Sequence, residues 1–281
     1  MALAVAYDFF DAVLFNLGCR WFRKPKNIAG QVVLITGAGS GLGRKLAEYF
    51  ATTKCRLVLW DIDEKGNEET KRICEELGVE THTYRVDVSE REAVYAAAQR
   101  VFSEVGDVEI LVNNAGIARD AGPFLDKKDE VMQKIIEVNM LSHIWMAKAF
   151  LPKMIERDRG HIVCICSLGG IVGAGQIVDY SASKFGAFGF QEALENELSS
   201  KSNIQFTTVC PSFIDTPMVC DNSLKLPSHI PLLSADEVAE EILYTVLTNR
   251  RIVVLPRKAC IIYFLKGVLP RRVFQRLLFF K

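Results

Sequence analysis

Tyr180 and Lys184 lie four residues apart in the segment Asp179-Tyr-Ser-Ala-Ser-Lys184, and Ser167 closes an apolar run upstream of them. On a helix, positions i and i+4 share a face, so the Lys184 ammonium is placed beside the Tyr180 phenol and favours its phenolate. A phenolate is a general base, and a nearby serine hydroxyl can hold the oxygen from which it takes a proton. A Tyr-x-x-x-Lys pair arises readily by chance in a chain with 7 tyrosines, so the surroundings decide its meaning.

The elements that must position these side chains begin with Gln31-Val-Val-Leu-Ile-Thr36. This short β-branched run passes into Gly37-Ala-Gly-Ser40-Gly41-Leu42-Gly43 and then a helical pattern through Arg44 to Phe50. Strand, glycine turn and helix start together suit a dinucleotide: the backbone approaches the pyrophosphate, whose charge meets free N–H groups and the helix dipole. The spacing is Gly-x-x-x-Gly-x-Gly, not the Gly-x-Gly-x-x-Gly of the larger dehydrogenases.

A second strand, Cys55 to Trp60, ends at Asp61, about twenty residues beyond the turn, where a ribose-reading acid is expected. A carboxylate there accepts from the ribose hydroxyls of NAD and repels the 2′-phosphate of NADP. Arg44 is a basic counterweight near the same pocket, so NADP stays possible.

The pattern continues with strand Glu80 to Val86, helix Glu90 to Val105, strand Val108 to Val112, a long helix from Lys127 to Met154 and strand His161 to Cys166. The Tyr180 helix follows, then strand Ile204 to Val209, helix Ala235 to Thr248 and strand Ile252 to Leu255. This alternation predicts an α/β fold: a single-domain, Rossmann-type, doubly wound parallel sheet of about seven strands with helices on both faces. Gly37, Asp61, Asp87, Asn113, Ser167 and Pro211 each follow a strand, so they converge on one crevice.

These residues together resemble the short-chain dehydrogenase/reductase superfamily over about Gly30 to Leu255. Thr36 to Gly43 is similar to its cofactor turn, with Gly37, Ser40, Gly41, Leu42 and Gly43 as contacts. Asp87 and Val88 resemble its adenine contact, and Asn113-Asn114-Ala115-Gly116 its cofactor-lining motif. Asn139, Ser167, Tyr180 and Lys184 resemble its catalytic tetrad. The resemblance implies that Asn139 holds a water that passes the proton to solvent, that Lys184 also bonds the nicotinamide ribose, and that Pro211, Ile214 and Thr216 line the nicotinamide side. One departure is Pro211-Ser212 where the superfamily usually has Pro-Gly, a change shared by several members of one branch. Asn27 to Thr36, Leu57 to Ile62, Gly66 to Thr70 and Ser183-Lys-Phe185 resemble that branch, the membrane-associated retinol dehydrogenases and 17-beta-hydroxysteroid dehydrogenases.

The segment Ser212 to Leu233 offers Phe213, Ile214, Met218, Val219, Leu224, Leu226, Ile230, Leu232 and Leu233 and little charge, which predicts a lipophilic alcohol as substrate. Phe213 and Met218, with Ser167 and Tyr180, are the candidate substrate contacts; a membrane-dipping lid or a partner surface is the competing use of this loop. Competing functions are an NADPH-dependent carbonyl reductase and a low-turnover, NAD-binding scaffold on a lipid surface.

The 281 residues are 49% hydrophobic and carry zero net charge, but every residue from Ile242 onward is neutral or basic. A basic tail, residues 256–281, interleaved with bulky aliphatics suits an anionic membrane surface rather than nucleic acid, unless it closes the core or a dimer seam. Residues 1–29 contain an apolar segment interrupted by Asp8 and Asp11, which fits a monotopic anchor better than a spanning helix or a signal peptide. The expected setting is an endoplasmic reticulum membrane or lipid-droplet surface, with residues 30–255 as a cytoplasmic catalytic domain, as a homodimer. The eight cysteines lack paired metal-ligand spacing, and no metal site is expected.

Overall fold

The computed structural model describes residues 23–220 and 231–279. The apolar segment before residue 23, Leu224, Leu226 and Ile230 of the substrate loop, and the last two residues of the tail lie outside the described residues.

Seven strands form one sheet: β1 Val32–Thr36, β2 Arg56–Asp61, β3 Thr81–Arg85, β4 Ile110–Asn113, β5 His161–Ile165, β6 Gln205–Pro211 and β7 Ile252–Leu255. Their order is β3-β2-β1-β4-β5-β6-β7, and every pairing is parallel. Both faces are covered, so the strands read as near-continuous apolar runs whose alternate side chains enter different cores. Val33, Ile35, Leu57 and Leu59 pack with Leu46 and Phe50 of α1 (Gly41–Ala51) and Val238, Ile242 and Val246 of α7 (Ala235–Leu247). Val32, Leu34, Val58 and Trp60 turn the other way, toward α3 (Arg91–Glu104) and α5 (Ser142–Glu156) through Val94, Val101, Met146 and Phe150. The expected doubly wound α/β sheet is the observed one.

Two departures from the sequence reading stand out. The helix α2, Glu64–Glu76, was not among the expected elements; it buries only Asn67, Thr70 and Cys74, so it shows almost no apolar stripe. The long helix expected from Lys127 starts later, as α4 Asp129–Ile136, and passes through a π-helical turn, Glu137–Leu141, before α5. Wide turns of this kind cluster at functional positions, and this one contains Asn139.

Helix α6, Val178–Leu198, carries Tyr180 and Lys184. Beyond β7 the tail forms α8, Cys260–Val268, and α9, Arg271–Phe279. Cys260 and Ile262 pack on a small core of Cys164, Cys166, Ile171, Ala187, Cys210 and Val254, while Ile261, Phe264, Val268 and Leu277 stay exposed. Among the described residues no helix is long and apolar enough to cross a membrane.

Candidate active site

The carboxyl ends of β1, β2, β4, β5 and β6 meet on one side of the sheet, and the candidate residues stand there. Gly37 and Gly41 have φ of +66° and +50°, the left-handed region that turns β1 sharply into α1. Gly43 is fixed by close approach: a Cβ there would fall 1.9 Å from the Gly37 carbonyl oxygen. Ser40 occupies the N-cap of α1 yet makes no side-chain capping bond, and the first turn of the helix contains no acid. At α7, by contrast, Ser234 accepts from the Glu237 N–H, with Asp236 and Glu237 in the first turn. One helix start is neutralised by its own residues; the other, at the glycine turn, keeps N–H groups and positive dipole for an external anion.

Asp61 reaches this turn from the end of β2. Its Oδ2 accepts from the Gly39 N–H at 2.7 Å and its Oδ1 from the Asp63 N–H at 2.8 Å. Arg44, the rival basic group, is tied to the protein: its guanidinium donates to the Gly39 carbonyl at 2.7 Å, the Gly66 carbonyl at 3.2 Å and Thr70 Oγ1 at 3.0 Å. The arginine thereby clamps α2 to the glycine turn. Gly66 allows the approach, since a Cβ there would lie 2.7 Å from the Gly39 carbonyl oxygen.

Asp87 accepts from the Ser89 amide at 3.0 Å and hydroxyl at 2.6 Å and from Lys134 at 3.1 Å. Burial pulls its carboxyl up, but the two Ser89 bonds and the Lys134 ammonium outweigh it and hold it below its ordinary value. Val88 beside it is buried. The Asn114 side chain donates to the Thr36 and Gly37 carbonyls at 2.9 and 3.2 Å, while the Asn114 and Ala115 N–H groups both donate to Thr36 Oγ1 at 3.0 Å. This network locks the ends of β1 and β4 together.

Asn139 is wholly buried. It accepts from the Ile117 N–H at 2.7 Å and donates to the Ile117 carbonyl at 2.8 Å and Ser183 Oγ at 3.0 Å. Lys184, also buried, donates to the Ile165 carbonyl at 2.9 Å, and its Nζ lies 5.9 Å from the centre of the Tyr180 ring. Ser167 Oγ accepts from the Gly169 N–H at 3.0 Å. Two glycines report how closely these groups converge. A Cβ on Gly116 would lie 3.3 Å from Asn139 Oδ1 and 3.4 Å from Lys184 Nζ; one on Gly169 would lie 3.4 Å from Ser167 Oγ and 3.3 Å from Tyr180 Cε1. The four candidate catalytic residues are thus assembled from the loop after β5, from α6 and from the π turn, around gaps that any larger residue would narrow.

Past Pro211 the chain crosses the crevice. Thr216 comes so near the glycine turn that a Cβ on Gly41 would touch its Cβ at 3.4 Å. The base of the substrate loop is closed by an Ile214–Leu233 bridge, with Asp215 N–H donating to the Leu233 carbonyl at 2.9 Å and Leu233 N–H to the Phe213 carbonyl at 2.8 Å. Phe213 is half-buried and Met218 exposed at the mouth.

Three supporting groups escaped the sequence reading. Lys127 forms a buried ion pair with Asp179 at 2.5 Å, and Asp179 Oδ1 also accepts the Tyr180 N–H at 2.9 Å, so the pair pins the start of α6. Ser183 anchors Asn139. His143 is buried near Lys184, and burial first, then the lysine charge, push its pKa down to about 3. The spacing of 52 residues between Lys127 and Asp179 leaves no local signal, whereas Ser183 lies within the quoted Tyr–Lys segment.

A family model described as short chain dehydrogenase matches residues 31–226. Epidermal retinol dehydrogenase 2 of Homo sapiens is 45% identical over 268 residues, which cover 94% of this chain and 85% of that one. The 17-beta-hydroxysteroid dehydrogenase 13 of Homo sapiens is 42% identical over 276 residues, covering 97% and 89%. Among solved structures, a short chain dehydrogenase/reductase from Burkholderia phymatum in complex with NAD superposes with a TM-score of 0.79 at 25% identity, covering 86% of this chain and 95% of that one.

Proposed function

The chain belongs to the short chain dehydrogenase family, an oxidoreductase related to retinol and 17-beta-hydroxysteroid dehydrogenases, and we propose that it oxidises a lipophilic alcohol to its carbonyl with NAD. The observation that carries the reading is the convergence of Ser167 Oγ, the Tyr180 ring, Lys184 Nζ and Asn139 Oδ1 around Gly116 and Gly169, beside a glycine turn whose helix start lacks a cap.

The crevice fits a nicotinamide dinucleotide. Gly37 to Gly43 and the start of α1 would hold the pyrophosphate, Asp61 the adenosine ribose, Asp87 and Val88 the adenine side, and Asn114 to Gly116, Lys184, Pro211, Ile214 and Thr216 the nicotinamide side. When bound, that group supplies the hydride acceptor. Tyr180 as phenolate takes the alcohol proton, and Ser167 holds the alcohol oxygen through its hydroxyl. Lys184, fixed by the Ile165 carbonyl, sets a positive charge against the phenolate. Asn139 holds the π turn to Ile117 and Ser183 and so shapes the proton's exit past Lys184. In carbonyl reduction the same groups act in reverse.

Asp61 favours NAD because its carboxylate faces the turn while Arg44 is engaged by two carbonyls and Thr70. Replacing Asp61 by Ala should erode discrimination against NADP roughly tenfold or more, the worth of one charge-assisted contact. A parent enzyme that already prefers NADP overturns the assignment.

Retinol, a hydroxysteroid or a related lipid alcohol suits the apolar loop of residues 211–233, and the relatives' names agree with that class. The segment 1–29 and the tail 256–281 would hold the catalytic residues 30–255 at an endoplasmic reticulum or lipid-droplet surface, facing the cytoplasm, as a homodimer. The exposed apolar residues of α8 and the arginines of α9 support such an interface. The test is nicotinamide absorbance with the detergent-solubilised full chain, NAD or NADP, and panels of retinoids, steroids and fatty alcohols. Turnover confined to small polar alcohols would refute the lipid reading.

A further inference from the structure

Between the tail and the loop that follows Ser167 lies a cleft of about 460 Å³, lined by Val172 and Gly173 on one side and Lys266, Leu269, Arg271, Phe274 and Gln275 on the other. Its volume falls within the range of roughly 300–1,000 Å³ of small-molecule sites. Val172, Leu269 and Phe274 supply an apolar wall, Lys266 and Arg271 supply two cations, and among the described residues no carboxylate lines it. The two exposed cations attract an anion, and a free anion would leave the apolar wall uncovered. A molecule with an anionic head and an alkyl chain satisfies both.

Lys266 has capacity for such a head. It donates one hydrogen bond to the Ile171 carbonyl at 2.6 Å and stands 4.5 Å over the ring of Phe185, next in sequence to Lys184. An ammonium has three donors, so two remain for an anion. Arg271 is exposed at the start of α9 and can offer a paired guanidinium edge to phosphate. The lysine therefore joins the cleft to the loop behind Ser167 and to the helix of Tyr180.

We propose that this cleft binds one anionic membrane lipid, its headgroup phosphate on Lys266 and Arg271 and its chain against Val172, Leu269 and Phe274. The site includes no candidate catalytic, dinucleotide or substrate contact among its lining residues, and it does not depend on the alcohol-oxidising activity. It ties occupancy of a lipid surface to the loop that positions Ser167.

The test uses the full chain in a neutral maltoside detergent, with hexadecyl phosphate as probe and bound probe counted by native mass spectrometry. Binding should saturate at about one molecule per chain. Arg271→Glu, at an exposed position, should weaken it by about tenfold or more, Arg271→Lys should retain most of it, and Val172→Trp should block it. Dinucleotide binding by each variant reports that it is folded, and Tyr180→Phe should leave probe binding unchanged, which separates failure of this proposal from failure of the catalytic reading. Equal binding by Arg271→Glu, displacement by hexadecanol as effective as by the probe itself, or displacement by equimolar inorganic phosphate would each overturn the proposal. The second would make the cleft an alcohol channel, the third a free-phosphate site.

Discussion

At the amino ends of β5 and β6, His161 and Thr207 belong to a closed chain of donors and acceptors. Lys26 Nζ bonds His161 Nδ1 and Asn249 Oδ1, both at 2.8 Å; His161 Nε2 bonds Thr207 Oγ1 at 2.8 Å; and Thr207 donates to the Arg250 carbonyl at 2.7 Å. Because the threonine proton goes to that carbonyl, Nε2 must carry the imidazole proton and Nδ1 must accept from the lysine. At the carboxyl ends of the same strands, Ser167 and Tyr180 are only half-buried, glycines keep space between them, and among the described residues none bonds the Tyr180 hydroxyl. Similar side chains, a lysine beside a ring and a hydroxyl on or just past a strand, give structure at one edge and the means for chemistry at the other. The difference is whether each polar atom finds its partner inside the protein.

Tyr180→Phe tests the open edge most severely. General acid–base groups contribute about 10²- to 10⁴-fold, so turnover should fall by that range while dinucleotide binding and unfolding free energy hold. A variant with parental turnover would show that the open edge is not where protons move.

Lys127→Met asks whether a closed pair can serve the open edge. It leaves the Asp179 carboxylate buried without its partner, and breaking such a pair costs about 3–5 kcal/mol. Urea unfolding should show that loss, and adding Asp179→Leu should recover much of it. If stability returns but kcat stays low, the pair also positions Tyr180; if neither value moves, the ion pair contributes little to holding α6.

Thr207→Val probes the closed edge. It removes the acceptor for the His161 N–H and the donor to the Arg250 carbonyl, at an expected cost of about 1–3 kcal/mol. Unlike the tyrosine substitution, it should leave kcat and KM unchanged. A large fall in kcat at preserved stability would mean that the two edges are coupled.

What could be read from sequence divides along the same line. The open edge was legible because Gly37, Asp61, Asp87, Asn113, Ser167 and Pro211 come at the ends of successive strands in order, and the four-residue spacing of Tyr180 and Lys184 marks one face of a helix. Closed networks have no such signature. Lys26 is 135 residues from His161, and the identity of its partner depends on which strand the sheet sets beside it. Helix α2 was hidden for another reason: it is polar on most sides and held through Asn67 and Thr70, not through an apolar stripe. The π turn at Asn139 is a single local widening inside an otherwise regular helical pattern, which periodicity cannot resolve.

His143 gives the smallest effect and the finest discrimination, because it is buried like the closed-edge residues, has no partner among the described residues, like the open-edge ones, and lies near the open edge. It is buried in α5 with both ring nitrogens unpaired among the described residues, and its pKa is depressed to about 3 by burial and then by the Lys184 charge. The folded chain keeps it neutral where the unfolded chain takes a proton. Stability should therefore fall as pH drops from about 6.5 toward 3, by up to about 1.4 kcal/mol per pH unit for this group. His161, pushed well down by burial and then by Lys26, adds a slope of the same sign. In His143→Leu, urea unfolding at pH 7, 6 and 5 should show little change at the first value and a slope reduced by up to one proton below it. If the slope is unaltered, His143 titrates near its ordinary value in the folded chain, and water reaches the interior behind Lys184. The open edge would then extend a full layer deeper than the glycine gaps alone require.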